Sequence, residues 1–158
     1  MFYIVLIAVI VVIMVVAGKK NYETGKRLKE EGKVAQRQGA FWECAEVFTA
    51  DTTYEAIREK VKALDLTDAK ATAYCDYEGK KSILFKSNDG WNAALDTGEK
   101  DGKRVFRFSF IAWQTHNGIV NCIMTMNVME TAIEKTILSL DPAATVETHK
   151  MQLKTKSR

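Results

Sequence analysis

Residues 1–17 read MFYIVLIAVIVVIMVVA, and this stretch decides how the rest of the chain is organised. It contains no charged side chain, and the first charges after it are Lys19 and Lys20. A helix rises 1.5 Å per residue, so about eighteen residues span roughly 27 Å, close to the hydrocarbon thickness of a bilayer. The pattern predicts one transmembrane helix, an uncleaved signal anchor over residues 1–18.

Two other interpretations of this stretch fit less well. A cleaved signal peptide begins with basic residues and ends at a small-x-small site, and neither feature is present here. A buried core helix is a poor candidate because the apolar run lies at the start of the chain and is followed by a basic cluster. We therefore expect an anchor that stays attached to the protein.

The distribution of charge around the anchor predicts its orientation. Basic residues crowd its carboxyl side, whereas the amino side carries only the α-amino group. By the positive-inside rule, the C-terminal domain is then cytoplasmic. The same cations are suited to anionic lipid headgroups, so the expected partner is a bilayer surface. The candidate membrane-surface residues are Lys19, Lys20, Lys26, Arg27 and Lys29.

The remainder of the chain, about 140 residues, is long enough for one domain with its own core. The formal net charge is +3. The basic residues concentrate in residues 19–37 and 149–158, and the part between them is acidic. An acidic domain is a poor nucleic-acid binder, so no nucleic-acid partner is expected. Three widely spaced cysteines form neither a disulfide framework nor a zinc motif.

Residues 19–40 form a predicted basic, helical juxtamembrane stalk. From the last residue of the anchor through the stalk, the glycines are spaced seven residues apart and would lie on one slowly drifting stripe of a helix. Such a stripe would admit a close helix contact, with a protein partner or through self-association. The alternative is a polar spacer in which the spacing has no role. The glycines concerned are Gly18, Gly25, Gly32 and Gly39.

From residue 41 to residue 142 the pattern is that of a globular domain. Thr52 begins a capping-box pattern before a helix over residues 52–64, and Asn127 is the expected cap of a second helix over residues 128–140. Alternating apolar residues predict the strands. They are expected at residues 41–50, 71–77, 83–85, 91–95, 106–114 and 120–126. Residues 143–158 form a basic tail with an edge strand possible at 145–153 and frayed residues after it.

These elements predict an α+β fold in which an antiparallel sheet of about five to six strands is covered by two helices. The order, β-α-β5-α, is similar to that of helix-grip domains, in which a curved sheet wraps a long helix. The resemblance covers residues 41–140, rests on element order alone and brings no motif residues with it.

One group of apolar side chains is expected to share a face of the sheet. In a helix-grip arrangement that face would line an apolar ligand pocket. The plainer interpretation is that the same residues form the core. The residues concerned are Trp91, Phe106, Phe108, Phe110, Met124 and Met126.

We find no catalytic, cofactor-binding or metal-binding constellation in the sequence. Both histidines, His116 and His149, lack a nucleophile or carboxylate at a recognisable spacing, and phosphate-binding and zinc-protease motifs are absent. The sequence therefore favours a non-catalytic interaction or accessory domain held at a membrane. A small-ligand or lipid-binding domain is the alternative.

Overall fold

The computed structural model describes residues 2–152, except the side chains of residues 2–5 and 8. The chain divides into two compact units, Met1–Ala35 and Gln36–Arg158. The described residues contain three α-helices: α1 (Phe2–Glu30), α2 (Tyr54–Lys62) and α3 (Ile123–Leu140). The frayed end expected at residues 154–158 lies outside the described residues.

The first unit is built on α1, which runs without interruption through Gly18 and Gly25. The predicted anchor and the first part of the predicted stalk therefore belong to one helix. Among the described residues, no helix offers an apolar stretch of membrane-spanning length. The predicted anchor includes residues 1–5 and 8, whose side chains lie outside the described part of the chain.

The predicted helical stalk over residues 19–40 is wrong beyond Glu30. Gly32 has a φ of +64°, a left-handed conformation that ends the helix. Its N–H donates to the carbonyl of Lys29 at 3.0 Å, and the Lys33 N–H donates to the carbonyl of Leu28 at 2.8 Å. This pair of bonds is a Schellman motif, which satisfies carbonyls at the helix end.

The second unit contains a six-stranded antiparallel sheet, and the α+β class is confirmed. In spatial order its strands are β2 (Ala71–Cys75), β3 (Ser82–Ser87), β4 (Trp91–Lys100), β5 (Lys103–Trp113), β1 (Cys44–Thr49) and β8 (Thr145–Lys150). The possible tail strand is thus present as β8, at the sheet edge beside β1. A small separate hairpin pairs β6 (Thr115–His116) with β7 (Ile119–Val120).

The start of this unit differs slightly from the expected boundaries. Residues Phe41–Glu43 form a single 3₁₀ turn, so β1 begins at Cys44 rather than at residue 41. The cap of α2 is Thr53 rather than Thr52, because the Thr53 side chain accepts the Ala56 N–H at 3.1 Å. A threonine side chain thus caps the helix, but the predicted capping box with Glu55 is wrong, because the residue three positions after Thr53 is Ala56.

The strand predicted at residues 120–126 is wrong, because α3 begins at Ile123. Met126 is buried whereas Met124 is 43% exposed, so alternate residues do not share one environment. The buried side chains instead follow helical spacing, at Cys122, Met126, Met129, Ile133 and Ile137. Asn127 lies inside the helix and accepts a hydrogen bond from the Thr131 hydroxyl at 3.1 Å, so it is not the cap.

The core fills the space between the sheet and the helices α2 and α3. Phe106, Phe108 and Phe110 project from one face of β5, and each is at most 1% exposed, as their alternation predicts. The indole N–H of Trp91, on β4, donates to the Thr125 hydroxyl on α3 at 3.0 Å. This bond places α3 over the buried face of the sheet.

Candidate functional site

The apolar part of α1 is exposed on all sides. The large side chains described between Leu6 and Val16 are each between 46% and 65% exposed. Isolated exposed hydrophobic residues are ordinary, but a continuous apolar surface of this length is a candidate binding surface. A helix that is apolar all round is typically buried in a protein core or in a membrane.

The five candidate membrane-surface cations all lie on α1, carboxyl-terminal to this apolar surface. Lys19, Lys26 and Arg27 each approach a glutamate four residues further on, at 3.9, 3.7 and 3.1 Å. Solvent-exposed pairs of this kind contribute little to stability and compete weakly with other anions. The basic segment thus remains available to an anionic partner.

The four candidate helix-contact glycines do not form one stripe. Gly18 and Gly25 lie within α1, whereas Gly32 and Gly39 have positive φ angles of +64° and +62°. A Cβ atom placed on Gly18 would meet nothing within 4 Å. Any helix contact through this segment is therefore limited to Gly18 and Gly25.

Five of the six candidate pocket residues come together in the core. Phe110 lies at the centre, with its ring centroid 5.2 Å from that of Phe108 and 5.5 Å from that of Trp91, both edge to face. Phe106 and Met126 are fully buried in the same layer. Met124 is exposed and lies apart from this cluster. The rings contact one another, as the side chains of a packed core do.

A hydrogen-bonded chain leads from this core to the surface. The Thr125 hydroxyl, which accepts the Trp91 N–H, lies 3.0 Å from a carboxylate oxygen of Asp89. Asp89 in turn pairs with Lys70 at 2.8 Å.

Burial raises the pKa of the Cys122 thiol, so this cysteine is a poor nucleophile.

A charged cluster that the sequence did not reveal is the most distinctive polar feature of the second unit. Arg37 donates from Nη1 to Glu46 at 2.6 Å and from Nη2 to Glu134 at 3.0 Å. Its Nε lies 3.1 Å from Glu130 Oε2, without hydrogen-bond alignment. Arg37 also lies 5.9 Å from the centre of the Phe41 ring. We call Arg37, Glu46, Glu130 and Glu134 the Arg37 cluster.

Three elements supply the Arg37 cluster. Arg37 belongs to the segment that enters the domain, Glu46 to β1, and Glu130 and Glu134 to α3. The side chains of Arg37, Glu46 and Glu130 are 11%, 8% and 2% exposed. Buried charges are destabilising unless they are paired, so breaking this arrangement is costly. The cluster therefore fixes the entry segment to both layers of the fold.

The charges of the cluster do not balance if every group is ionised. Burial, followed by the charge of Glu46, raises the pKa of Glu130 to about 8 despite the opposing effect of Arg37. Burial also raises the pKa of Glu46, against the attraction of Arg37. One oxygen each of Glu46 and Glu130 has no hydrogen-bond partner. We conclude that the two buried carboxyl groups retain one proton between them near neutral pH.

The described residues hold no candidate metal site, and comparisons with known proteins give no relative. No group of three or more histidine, cysteine, aspartate or glutamate side chains in the described residues is arranged to hold a metal ion. Comparisons with protein-family models, with curated proteins and with solved structures find no match for this chain.

Proposed function

We propose that this is a single-pass membrane-anchored protein whose α+β domain is a non-catalytic interaction or accessory domain on the cytoplasmic side of the membrane. The observation that carries the proposal is the exposed apolar surface of α1 from Leu6 to Val16. That surface requires an apolar environment, and the sequence of residues 1–17 contains no charged side chain.

The energetics favour insertion of this segment. Each mid-membrane Phe, Ile, Leu or Val contributes roughly −0.3 to −0.6 kcal/mol, so the apolar residues before Gly18 favour insertion by at most about 4–7 kcal/mol. The segment is only just long enough to cross, at about 1.5 Å per residue. Lys19 and Lys20 can extend their side chains to the headgroup layer and so lengthen the usable span.

The orientation follows from the cations that come after the apolar segment. Lys19, Lys20, Lys26, Arg27 and Lys29 are all on its carboxyl side, and the acidic residues among them contribute little to the positive-inside rule. The same cations favour anionic lipid by about 1 kcal/mol for each residue near the surface. The second unit would then be tethered beside the cytoplasmic leaflet.

A non-catalytic role is favoured by the chemistry of the candidate groups. Cys122 is buried with a raised pKa, and His116 and His149 lie exposed on β6 and β8. The charges of the Arg37 cluster are directed at one another. A domain of this kind acts through its surface, on a protein partner or on another copy through α1.

Binding of a small apolar ligand or lipid beneath the sheet is the alternative function. Such binding would require the rings of Trp91, Phe108 and Phe110 to separate, since these rings now pack against one another. Extraction of the purified full chain followed by lipid analysis tests this alternative. A stoichiometric lipid that survives removal of detergent would favour ligand binding over the interaction role.

Labelling with a membrane-impermeant maleimide tests the proposed topology. Glu99→Cys places a thiol at an exposed position on β4, and the wild-type chain serves as the blank for its three cysteines. We expect the variant in the membrane fraction, with labelling above the blank only after the cells are permeabilised. Equally strong labelling in intact cells would reverse the orientation. Recovery of the protein in the soluble fraction would show that the chain is not anchored in the membrane.

A further inference from the structure

The strand β8 forms an open edge of the six-stranded sheet. Among the described residues it pairs with β1 alone, and its register with β1 runs without a break over Thr145–Lys150. The side chains of all six residues are exposed. An exposed edge strand without proline or a bulge offers unpaired backbone groups to another strand. Lysine, which commonly protects such edges, occurs only at its last position, Lys150.

The hydrogen-bonding pattern identifies the backbone groups that face outward from β8. Just after the strand, the Met151 N–H donates to the Glu43 carbonyl at 2.9 Å, so the backbone groups of Met151 face the β1 side. Residues of an antiparallel strand face one neighbour and then the other in alternation. The odd-numbered residues of β8 therefore bond to β1, and the N–H and C=O groups of Val146, Thr148 and Lys150 point away from the sheet.

The opposite edge of the sheet, β2, is less open. The Ala71 N–H at its start donates to the Leu66 carbonyl at 3.3 Å, so this group is already bonded outside the sheet. Alternate residues of β2 have half-buried side chains, whereas every side chain of β8 is exposed. Of the two edges, β8 is therefore the one at which another strand can extend the sheet more readily.

A second copy of β8 fits this edge in one register. Two identical strands related by a two-fold axis run antiparallel, and residues with outward backbone groups then lie opposite one another. When the axis passes through Thr148, the two Thr148 side chains face each other and can hydrogen-bond. The same register places Glu147 of each copy opposite His149 of the other, in the type of pair whose side chains approach most closely. Glu147 and His149 already lie 3.2 Å apart within one chain, so the two copies would join these contacts into one cluster.

The neighbouring registers are less favourable. Moving the axis to Glu147 places the two Glu147 carboxylates opposite each other, and like charges directly opposite are destabilising. Moving it to His149 places Glu147 opposite Met151 and loses both carboxylate–imidazole pairs. Charge complementarity therefore selects the register centred on Thr148.

We infer that β8 pairs with β8 of a second copy of this chain, antiparallel and centred on Thr148, so that the sheets of the two copies become continuous. Backbone hydrogen bonds hold the copies together, and the pairing of Glu147 with His149 sets the register. The inference goes beyond the proposed function and does not depend on the membrane anchor, because every residue involved lies in the second unit.

Cysteine crosslinking distinguishes this register from chance contact. Hydrogen-bonded residues on antiparallel strands have Cα atoms about 5.5 Å apart, within the range that a disulfide spans, so Thr148→Cys should join the two copies directly. Val146→Cys, on the same exposed face of β8, is the matched control. In this register Val146 lies opposite Lys150, so its counterpart is displaced along the strand by about 13 Å or more, too far for a disulfide.

The purified full chain is oxidised with copper phenanthroline and separated without reductant, and the joined peptides are identified by mass. The wild-type chain is the blank for its own cysteines, Cys44, Cys75 and Cys122. We expect the crosslink between two copies of position 148 to exceed that between two copies of position 146 by about tenfold or more. A yield at 148 no higher than the blank, or no higher than the yield at 146, would overturn the inference.

Charge reversal tests the register independently. Adding Glu147→Lys to Thr148→Cys should lower the crosslink yield by about threefold or more, because it removes both carboxylate–imidazole pairs. Glu78→Lys makes the same change of charge at an exposed site in the turn after β2, and it should leave the yield unchanged. An unchanged yield with Glu147→Lys would show that Glu147 and His149 do not set the register, and would overturn that part of the inference.

Discussion

The Arg37 cluster should make the domain less stable as the pH rises toward 8. The folded chain keeps a proton on Glu130 up to a pKa of about 8, whereas the ordinary value is 4.5. Between these values the folded state binds more protons than the unfolded state, so the free energy of unfolding falls as the pH rises. The contribution is fully present below about pH 4.5 and is lost as the pH passes 8.

The magnitude follows from the same two values. One pKa unit corresponds to about 1.4 kcal/mol, so the full difference sets an upper limit of about 5 kcal/mol on the contribution of Glu130 to the stability lost across this range. Urea unfolding of residues 36–158 at several pH values measures it. Glu130→Gln removes the titrating group and should flatten the profile, whereas Glu99→Gln, at an exposed site on β4, should not. A wild-type profile that changes by less than about 1 kcal/mol between pH 5 and pH 8 would show that the pKa of Glu130 is not raised by folding.

Three further variants test the packing and the buried polar contacts by urea unfolding of the same fragment. Phe108→Ala should lose about 3–5 kcal/mol, because it removes a ring that is 1% exposed from the core, and a loss below about 1 kcal/mol would contradict its burial. Arg37→Met should lose about 3–5 kcal/mol, because it leaves buried carboxylates unpaired, and an unchanged stability would show that the cluster is energetically neutral. Thr125→Val should lose about 1–3 kcal/mol by depriving the Trp91 indole of its acceptor, and its tryptophan emission should shift; no change in either would argue against that bond.

Much of the sheet could be predicted from local patterns. Phe106, Phe108 and Phe110 alternate with Arg107 and Ser109, and that contrast gives both the strand and its buried face. Asn-Gly is the dipeptide typical of a tight hairpin turn, and Asn117 and Gly118 have positive φ angles of +50° and +76°. These features depend on neighbouring residues alone, so they can be predicted from the local sequence.

The wrong predictions concern segments whose sequence pattern is compatible with two different structures. Val120, Cys122, Met124 and Met126 alternate as strand residues do, but Cys122 and Met126 also have the spacing of a helix face, and the tertiary fold uses that spacing. Gly32 fitted a seven-residue repeat, yet glycine is also the usual residue just beyond a helix end. Its positive φ angle identifies the second role.

The Arg37 cluster could have been anticipated only in part. Glu46 occupies the same strand face as Phe48, and Glu130 follows Met126 by one helical turn, so both are charged residues at positions that a core would fill. Their pairing with Arg37 depends on where the entry segment crosses the fold. That contact is set by tertiary packing and has no local signal.

Alkaline extraction of membranes tests the central claim, that residues 1–18 hold the chain in a bilayer, most directly. Cells producing the wild-type chain are compared with cells producing one of two double variants. Ile10→Lys/Ile13→Lys adds two charges to the exposed apolar surface of α1, whereas Ile10→Ala/Ile13→Ala adds none. We expect the wild type and the alanine variant to stay with the membrane at high pH and the lysine variant to be released, because each mid-membrane lysine opposes insertion by about 2.5–3.5 kcal/mol. Release of the wild-type chain into the alkaline supernatant would show that residues 1–18 do not anchor it in a bilayer.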